Sequence, residues 1–122
     1  FLAIGTPGGD NQDQTILQTF LNIVEFRDAW YPNLHDAIQW PRVRTQHLYG
    51  SFWPHAAGFT QVDVEAPLAA GVAEELRRRG HQVNEVPALG VSGCATVVML
   101  DPATANRVAA ADPRRDCYAL AY

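Results

Sequence analysis

Apolar residues recur at helical spacing over two stretches of the chain and in short or alternating runs over most of the rest. From Gln12 to Phe26, the positions Asp13, Ile16, Leu17, Phe20, Leu21 and Val24 follow the i, i+3, i+4, i+7, i+8, i+11 series, and all but the first are apolar. Gln14, Thr15, Gln18, Thr19, Asn22 and Glu25 occupy the other side. This spacing predicts an amphipathic helix whose apolar stripe packs on a sheet. A second helix opens at Pro67, carries Leu68, Val72 and Leu76 on one face, places Arg77, Arg78 and Arg79 in its last turn, and ends at Gly80. A short helical piece is expected over Asn33 to Gln39, stopped by Pro41, after a break at Arg27 to Pro32.

Strand signals fill the intervals. Phe1 to Ile4 reads as a buried strand. Arg42 to Tyr49 can be extended, and Gly50 to Gly58 reads as an ordered loop. Thr60, Val62 and Val64 alternate with Gln61, Asp63 and Glu65, the pattern of a half-buried strand. Gln82 to Val86 is a short strand, and the apolar run Ala95 to Leu100 belongs in the middle of a sheet. Arg107 to Ala111 pairs with that run as a hairpin across the turn-rich segment from Asp101 to Asn106. There is no internal repeat, linker or low-complexity segment, and 122 residues fit one domain, 1–122, of α+β class.

Composition narrows the function classes. Nearly half of the residues are hydrophobic (48%), enough for a core. The net charge is −4 with acids and arginines scattered, so no basic stripe points to nucleic acid, and no apolar run reaches membrane-spanning length. Cys94 and Cys117 form no C-x-x-C pair and read as one buried small hydrophobe and one incidental thiol, which leaves the compartment open. His35, His47, His55 and His81 are not paired at helical metal spacing, no Gly-x-Ser-x-Gly elbow is present, and no histidine is assigned a catalytic role. Phe1 opens the chain inside an apolar run, as expected of a fragment or processed piece.

The chemistry concentrates in Ile4-Gly5-Thr6-Pro7-Gly8-Gly9-Asp10-Asn11-Gln12-Asp13. Two adjacent glycines at a strand-to-helix turn can aim two backbone N–H groups at one point, beside the partial positive charge of a helix start. Such a turn suits an anion or an oxygen that becomes negative during a reaction; the simpler reading is a tight turn. Asp10 and Asp13 read as N-terminal capping residues, because nothing nearby supplies further metal ligands at suitable spacing. Trp30, Tyr31 and Trp40 read as packing for a loop rather than as a pocket wall. Asp112, Arg114, Arg115 and Asp116 read as a local ion-pair network rather than a charged-ligand site, and the Arg77 to Arg79 run as a solvated helix end rather than a phosphate site. No cofactor or metal is expected.

The segment Gly5-Thr6-Pro7-Gly8-Gly9-Asp10-Asn11-Gln12, followed by Ile16-Leu17-Gln18 and Asn22-Ile23-Val24-Glu25-Phe26, resembles the C-terminal part of the small subunit of γ-glutamyltranspeptidases. Asp36-Ala37-Ile38 leading to Pro41-Arg42, Glu75-Leu76-Arg77-Arg78-Arg79-Gly80-His81, and Ala111-Asp112-Pro113-Arg114 agree with that family in order. The resemblance implies part of an N-terminal-nucleophile hydrolase: a four-layer αββα sandwich with mainly antiparallel sheets and flanking helices. It implies a precursor that cuts itself to expose a threonine, which attacks γ-glutamyl amides such as glutathione with its own amine as base. The acyl-enzyme is then taken by water, an amino acid or a peptide. Carried over by position, Gly8 and Gly9 supply oxyanion-hole N–H groups. The nucleophile lies upstream, because Thr6 is internal and Phe1 carries no nucleophilic side chain. The implied partners are the remainder of the small subunit, a large subunit of the same precursor and a small γ-glutamyl substrate. Many members follow the two glycines with Ser-Arg; Asp10-Asn11 stands here, and Asp10 is taken with Gly8 and Gly9 as a substrate contact. The competing readings are a non-catalytic α/β module holding phosphate or carboxylate, disfavoured for nucleotides by the lack of a Gly-Lys-Ser/Thr ending, and an inactive relative of the same fold.

Overall fold

A computed structural model describes residues 1–122. In chain order the elements are β1 (Leu2–Gly5), α1 (Gln12–Glu25), α2 (Arg27–Trp30), α3 (Leu34–Gln39), β2 (Val43–Thr45), β3 (Gln61–Glu65), α4 (Ala66–Arg78), β4 (Gln82–Val86), β5 (Thr96–Leu100) and β6 (Arg107–Ala111), with a 3-10 turn at Gly9–Asn11. They form two compact units, one of Phe1–Trp40 with Gly93–Tyr122 and one of Pro41–Ser92.

In the first unit, β5 lies between β1 and β6, and both pairings are antiparallel. The register places Ile4, Val97 and Ala110 in one row and Leu2, Met99 and Val108 in the next. These rows pack against Ile23 of α1, Trp30 of α2, and Leu34, Ala37 and Ile38 of α3. Burying each large aliphatic side chain of this kind is worth about 1.5–3 kcal/mol over leaving it in water. The alternation of β5 sends Val98 and Leu100 to the opposite face, where each is 43% exposed. A mostly apolar cavity of about 650 Å³ adjoins that face, walled by Phe1, Val98, Leu100, Leu120 and Tyr122 among others. β5 is thus central, as its composition predicts, but only one of its two apolar faces is covered by helices.

The orientation of α1 corrects the sequence-based expectation. The helix forms where its spacing places it, yet Leu17, Phe20, Leu21 and Val24 are exposed, while Thr15, Thr19 and Ile23 are buried. At Thr15 the backbone of Gly93 comes close: a Cβ added at Gly93 would collide with it. Threonines occupy the tight end, Ile23 reaches the core further along, and the large apolar residues are left on the outside. Asn22 then ties the neighbouring helices, donating from Nδ2 to Ala37 O (3.1 Å) and accepting at its carbonyl from Trp30 Nε1 (3.0 Å).

Two carboxylates organise the rest of this unit. Asp101 accepts from Ala103 N–H (3.0 Å), Thr104 Oγ1 (2.9 Å), Tyr31 OH (3.2 Å) and Arg27 (2.9 Å). The Ala103 N–H is the main cause holding its carboxyl below the ordinary value of 3.8; Thr104, Tyr31 and Arg27 add to it, against the opposing effect of burial. A folded-state pKa below the unfolded one means that Asp101 stabilises the fold above the ordinary value, and that this contribution is lost as pH falls through the lowered one. Asp112 and Arg114 form an ion pair at 3.1 Å that is essentially closed to solvent. Asp112 accepts from Ala95 N–H (3.3 Å) and Arg114 N–H (3.0 Å), and Arg114 donates to the carbonyls of Trp40 (2.9 Å) and Ile38 (3.4 Å).

In the second unit, β3 pairs antiparallel with β2 and parallel with β4, the latter through α4, so one βαβ crossover sits among otherwise antiparallel strands. Ala69 and Ala73, with Leu68, Val72 and Leu76, cover Val62 and Val64. β3 departs from the expected alternation, because Asp63 and Glu65 are buried as well. Both carboxylates are supplied with donors: Asp63 by Arg44 (2.9 Å) and Asn84 (2.9 Å), Glu65 by the backbone N–H groups of Arg42 and Val91 (3.1 Å each). The arginines closing α4 are solvated and also paired, Arg78 and Arg79 with Glu75 and Arg77 with Glu85.

The Arg114→Ala variant is expected to destabilise the fold by about 3–5 kcal/mol, because it leaves a buried carboxylate without its cation. Chemical denaturation checks this. Arg78→Ala, which breaks a surface pair, should leave the midpoint unmoved, and equal effects of the two would contradict the assignment.

Candidate functional site

The connection from β1 to α1 runs through Thr6, Pro7 and the two glycines. Gly8 has φ 140° and ψ 17°, and Gly9 has φ 57°, both in the region that favours glycine. The carbonyls of this turn are used: Gly8 O accepts from Asn11 N–H (3.2 Å), and Gly9 O accepts from Gln12 N–H. The N–H groups of Gly8 and Gly9 are bonded to no group of the chain, and both residues are exposed. Two successive donors without a partner in the chain thus belong to exposed residues. This arrangement can take up an oxygen that gains negative charge.

A second segment holds the turn from behind. Thr6 Oγ1 accepts from Cys94 N–H (3.0 Å) and donates to Pro7 O (2.8 Å). Thr96 Oγ1 donates to Gly5 O (3.4 Å). Gly93, at φ 110°, brings its Cα within 3.6 Å of where a Gly8 Cβ would stand. On its other side Gly93 abuts the fully buried Thr15, whose Oγ1 accepts from Asn11 Nδ2 (3.4 Å). Gly8, Gly93, Thr6 and Thr15 are therefore linked through one set of contacts.

Asp10 is exposed and lies within the 3-10 turn, directly after the two glycines. It does not take the expected N-cap position: Gly8 is N-cap of the 3-10 turn and Asn11 of α1, neither with a side-chain capping bond. Asp13 accepts from Gln14 N–H (2.8 Å) in the first turn of α1. The cysteines also differ from expectation. Cys94 and Cys117 are joined, with Cα atoms 6.9 Å apart, so Cys117 is not an incidental thiol. Trp30 is buried in the core, and Trp40 packs on Phe26 with ring centroids 5.9 Å apart. His47 and His81 stack at 5.4 Å, and His55 Nδ1 lies 2.8 Å from Gly50 O. In the sequence Thr6 is only an internal threonine, Thr15 falls on the polar side of its helix, and Gly93 is not singled out. Their partners lie far away along the chain, and no periodicity marks such a contact.

The sequence model of the family described as gamma-glutamyltranspeptidase matches residues 1–122. Among solved structures, the chain is 42% identical to "LmbA2991HD", with a TM-score of 0.82, and covers 93% of itself and 20% of that chain. It is 26% identical to an acivicin-inhibited γ-glutamyltranspeptidase whose structure is described as revealing critical roles for its C-terminus in autoprocessing and catalysis; the TM-score is 0.67, with 96% of this chain and 55% of that one covered. It is 29% identical to cephalosporin acylase from Bacillus halodurans (TM-score 0.67), covering 93% of itself and 18% of that chain. No curated protein matches. No helix is long and apolar enough to cross a membrane.

The two glycines should respond differently to substitution. Gly9→Asn, at a left-handed φ that Asn tolerates, is expected to cost under about 1 kcal/mol, and Gly8→Ala, at a φ closed to alanine, about 1–3 kcal/mol. Denaturation of both variants tests the difference, and equal costs would show that backbone conformation is not the constraint.

Proposed function

Because the chain belongs to the γ-glutamyltranspeptidase family, we propose that its 122 residues form the C-terminal portion of the small subunit of a γ-glutamyltransferase/glutathione hydrolase-like enzyme, supplying the oxyanion hole through the N–H groups of Gly8 and Gly9. The observation that carries this reading is the pair of exposed, uncommitted N–H groups on a turn whose carbonyls are already bonded. In this account a threonine at the start of the processed subunit, outside these residues, attacks the γ-glutamyl carbonyl carbon. Its free amine accepts the hydroxyl proton. The carbonyl oxygen becomes the oxyanion and is received by Gly8 and Gly9. Collapse breaks the C–N bond, the proton passes to the leaving amine, and a threonyl ester remains. Water or the amine of an amino acid or peptide repeats the attack and releases the product.

Preorganisation is the chain's contribution. Donors held by surrounding packing need no reorientation as charge develops, and losing one such donor costs about 2.7–4 kcal/mol of transition-state stabilisation. Asp10, exposed beside the donors, is the proposed substrate contact of this turn. The outward apolar face of β5, with Val98 and Leu100, supports packing against the remainder of the small subunit as the second sheet of an αββα sandwich. A large subunit of the same precursor completes the assembly. On this account the 122 residues alone turn over no substrate.

Removing an N–H by proline is unsuitable, since proline cannot reach the φ of Gly8 or Gly9. Replacing either glycine with glycolic acid in the complete, processed protein exchanges the N–H for an ester oxygen without adding a side chain. Each exchange is expected to lower kcat for γ-glutamyl-p-nitroanilide by about 10²–10³-fold. Full activity in both would contradict the oxyanion role.

A further inference from the structure

We propose that Thr6 and Gly93 are positioning residues for the Gly8–Gly9 donors, acting as a brace that ties the turn to the strand on its far side; the catalytic part of this inference rests on the oxyanion role above. Three observations carry it. The Thr6 hydroxyl is used in both directions, accepting from Cys94 N–H at 3.0 Å and donating to Pro7 O at 2.8 Å, so one side chain fixes the turn's backbone immediately before Gly8 relative to β5. Gly93 has no room for a side chain toward Thr15, because a Cβ of its own would strike Thr15 Oγ1 and lie 3.2 Å from Thr15 Cγ2, and its Cα lies 3.6 Å from the would-be Cβ of Gly8, an ordinary packing distance. Thr15, fully buried in the first turns of α1, accepts from Asn11 Nδ2 at 3.4 Å, and Asn11 N–H in turn holds Gly8 O at 3.2 Å.

These contacts close a loop. Gly8 connects to Asn11, Asn11 to Thr15, Thr15 to Gly93, and Gly93 back to Gly8, while Thr6 fastens Cys94, the neighbour of Gly93, to the residue before Gly8. Gly93 is buried, and the Thr6 hydroxyl is engaged with Cys94 N–H and Pro7 O. Their effect must pass through the placement of those donors, and displacements of an ångström at such a site are worth large factors in rate.

The test uses the complete, processed protein with the variants Thr6→Val, Thr6→Ser and Gly93→Ala. Valine keeps the shape of threonine and removes the hydroxyl, serine keeps the hydroxyl, and alanine places a methyl group against Thr15. Two readouts are taken. One is hydrogen exchange of the Asn11 and Gln12 amides, whose bonds to Gly8 O and Gly9 O report the order of the turn. The other is the separate kcat and KM for γ-glutamyl-p-nitroanilide. Thr6→Val and Gly93→Ala are expected to speed exchange of these amides by about tenfold and to lower kcat by about tenfold or more with KM within about twofold, and Thr6→Ser to stay near wild type in both. Folded Thr6→Val and Gly93→Ala proteins with wild-type exchange would overturn the brace. So would faster exchange with unchanged kcat while the glycolate exchanges lower kcat as expected. If the unmodified protein does not hydrolyse the anilide, the functional reading fails and the exchange data alone decide the brace. If either variant does not fold, the other decides.

Discussion

The approach of two backbones governs this structure. Gly8 and Gly93 meet with no side chain between them, and Thr15 closes the remaining space behind Gly93. The carbonyls of both positive-φ residues of this turn are bonded, Gly8 O to Asn11 N–H and Gly9 O to Gln12 N–H. The exposed N–H groups of Gly8 and Gly9 stand on that packing. Their geometry is a property of the core beneath them, although the residues themselves are at the surface. The organisation suits electrostatic catalysis, where donors are useful to the extent that they are already in place.

The same constraint explains features that otherwise look misplaced. α1 turns Thr15, which abuts Gly93, and Thr19 inward at its start and leaves Leu17, Phe20, Leu21 and Val24 outside. The segment carrying Gly93 is fixed in its turn by its continuation, Cys94 and Ala95. There Cys94 is joined to Cys117, Ala95 N–H donates to Asp112, and Asp112 is locked to Arg114. Arg114 reaches the carbonyls at the end of α3, so the C-terminal residues, α3 and the glycine turn share one network. A buried ion pair is not in itself a strong source of stability. Here its use is geometric, since Asp112 bonds the Ala95 N–H just before β5 while Arg114 bonds the carbonyls of Ile38 and Trp40.

The elements themselves were legible in the sequence, and so was the glycine turn between β1 and α1. The period of α1, the Pro67 and Gly80 punctuation of α4, the Gln82–Val86 strand and the β5–β6 hairpin all appear where local signals place them. Those signals are carried by neighbouring residues and need no knowledge of the rest of the fold. The direction in which α1 faces was not legible. Periodicity identifies an apolar stripe but not what covers it, and here the covering backbone is supplied by Gly93, far along the chain. Asp63 and Glu65 were missed for a related reason: alternation marks them as solvent-facing, while their donors come from β4, from the loop beyond it and from the segment containing β2. Thr6 is the clearest case. In the sequence it is one residue of a glycine-rich turn, and only its tertiary bond to Cys94 distinguishes it.

The most direct test of the account is the structure of the complete, processed enzyme with a tetrahedral, transition-state-like γ-glutamyl adduct on its threonine. The account predicts the adduct's oxyanion 2.7–3.1 Å from the backbone nitrogens of both Gly8 and Gly9. An oxyanion held by other donors, with these two nitrogens turned away or beyond hydrogen-bond distance, would contradict it.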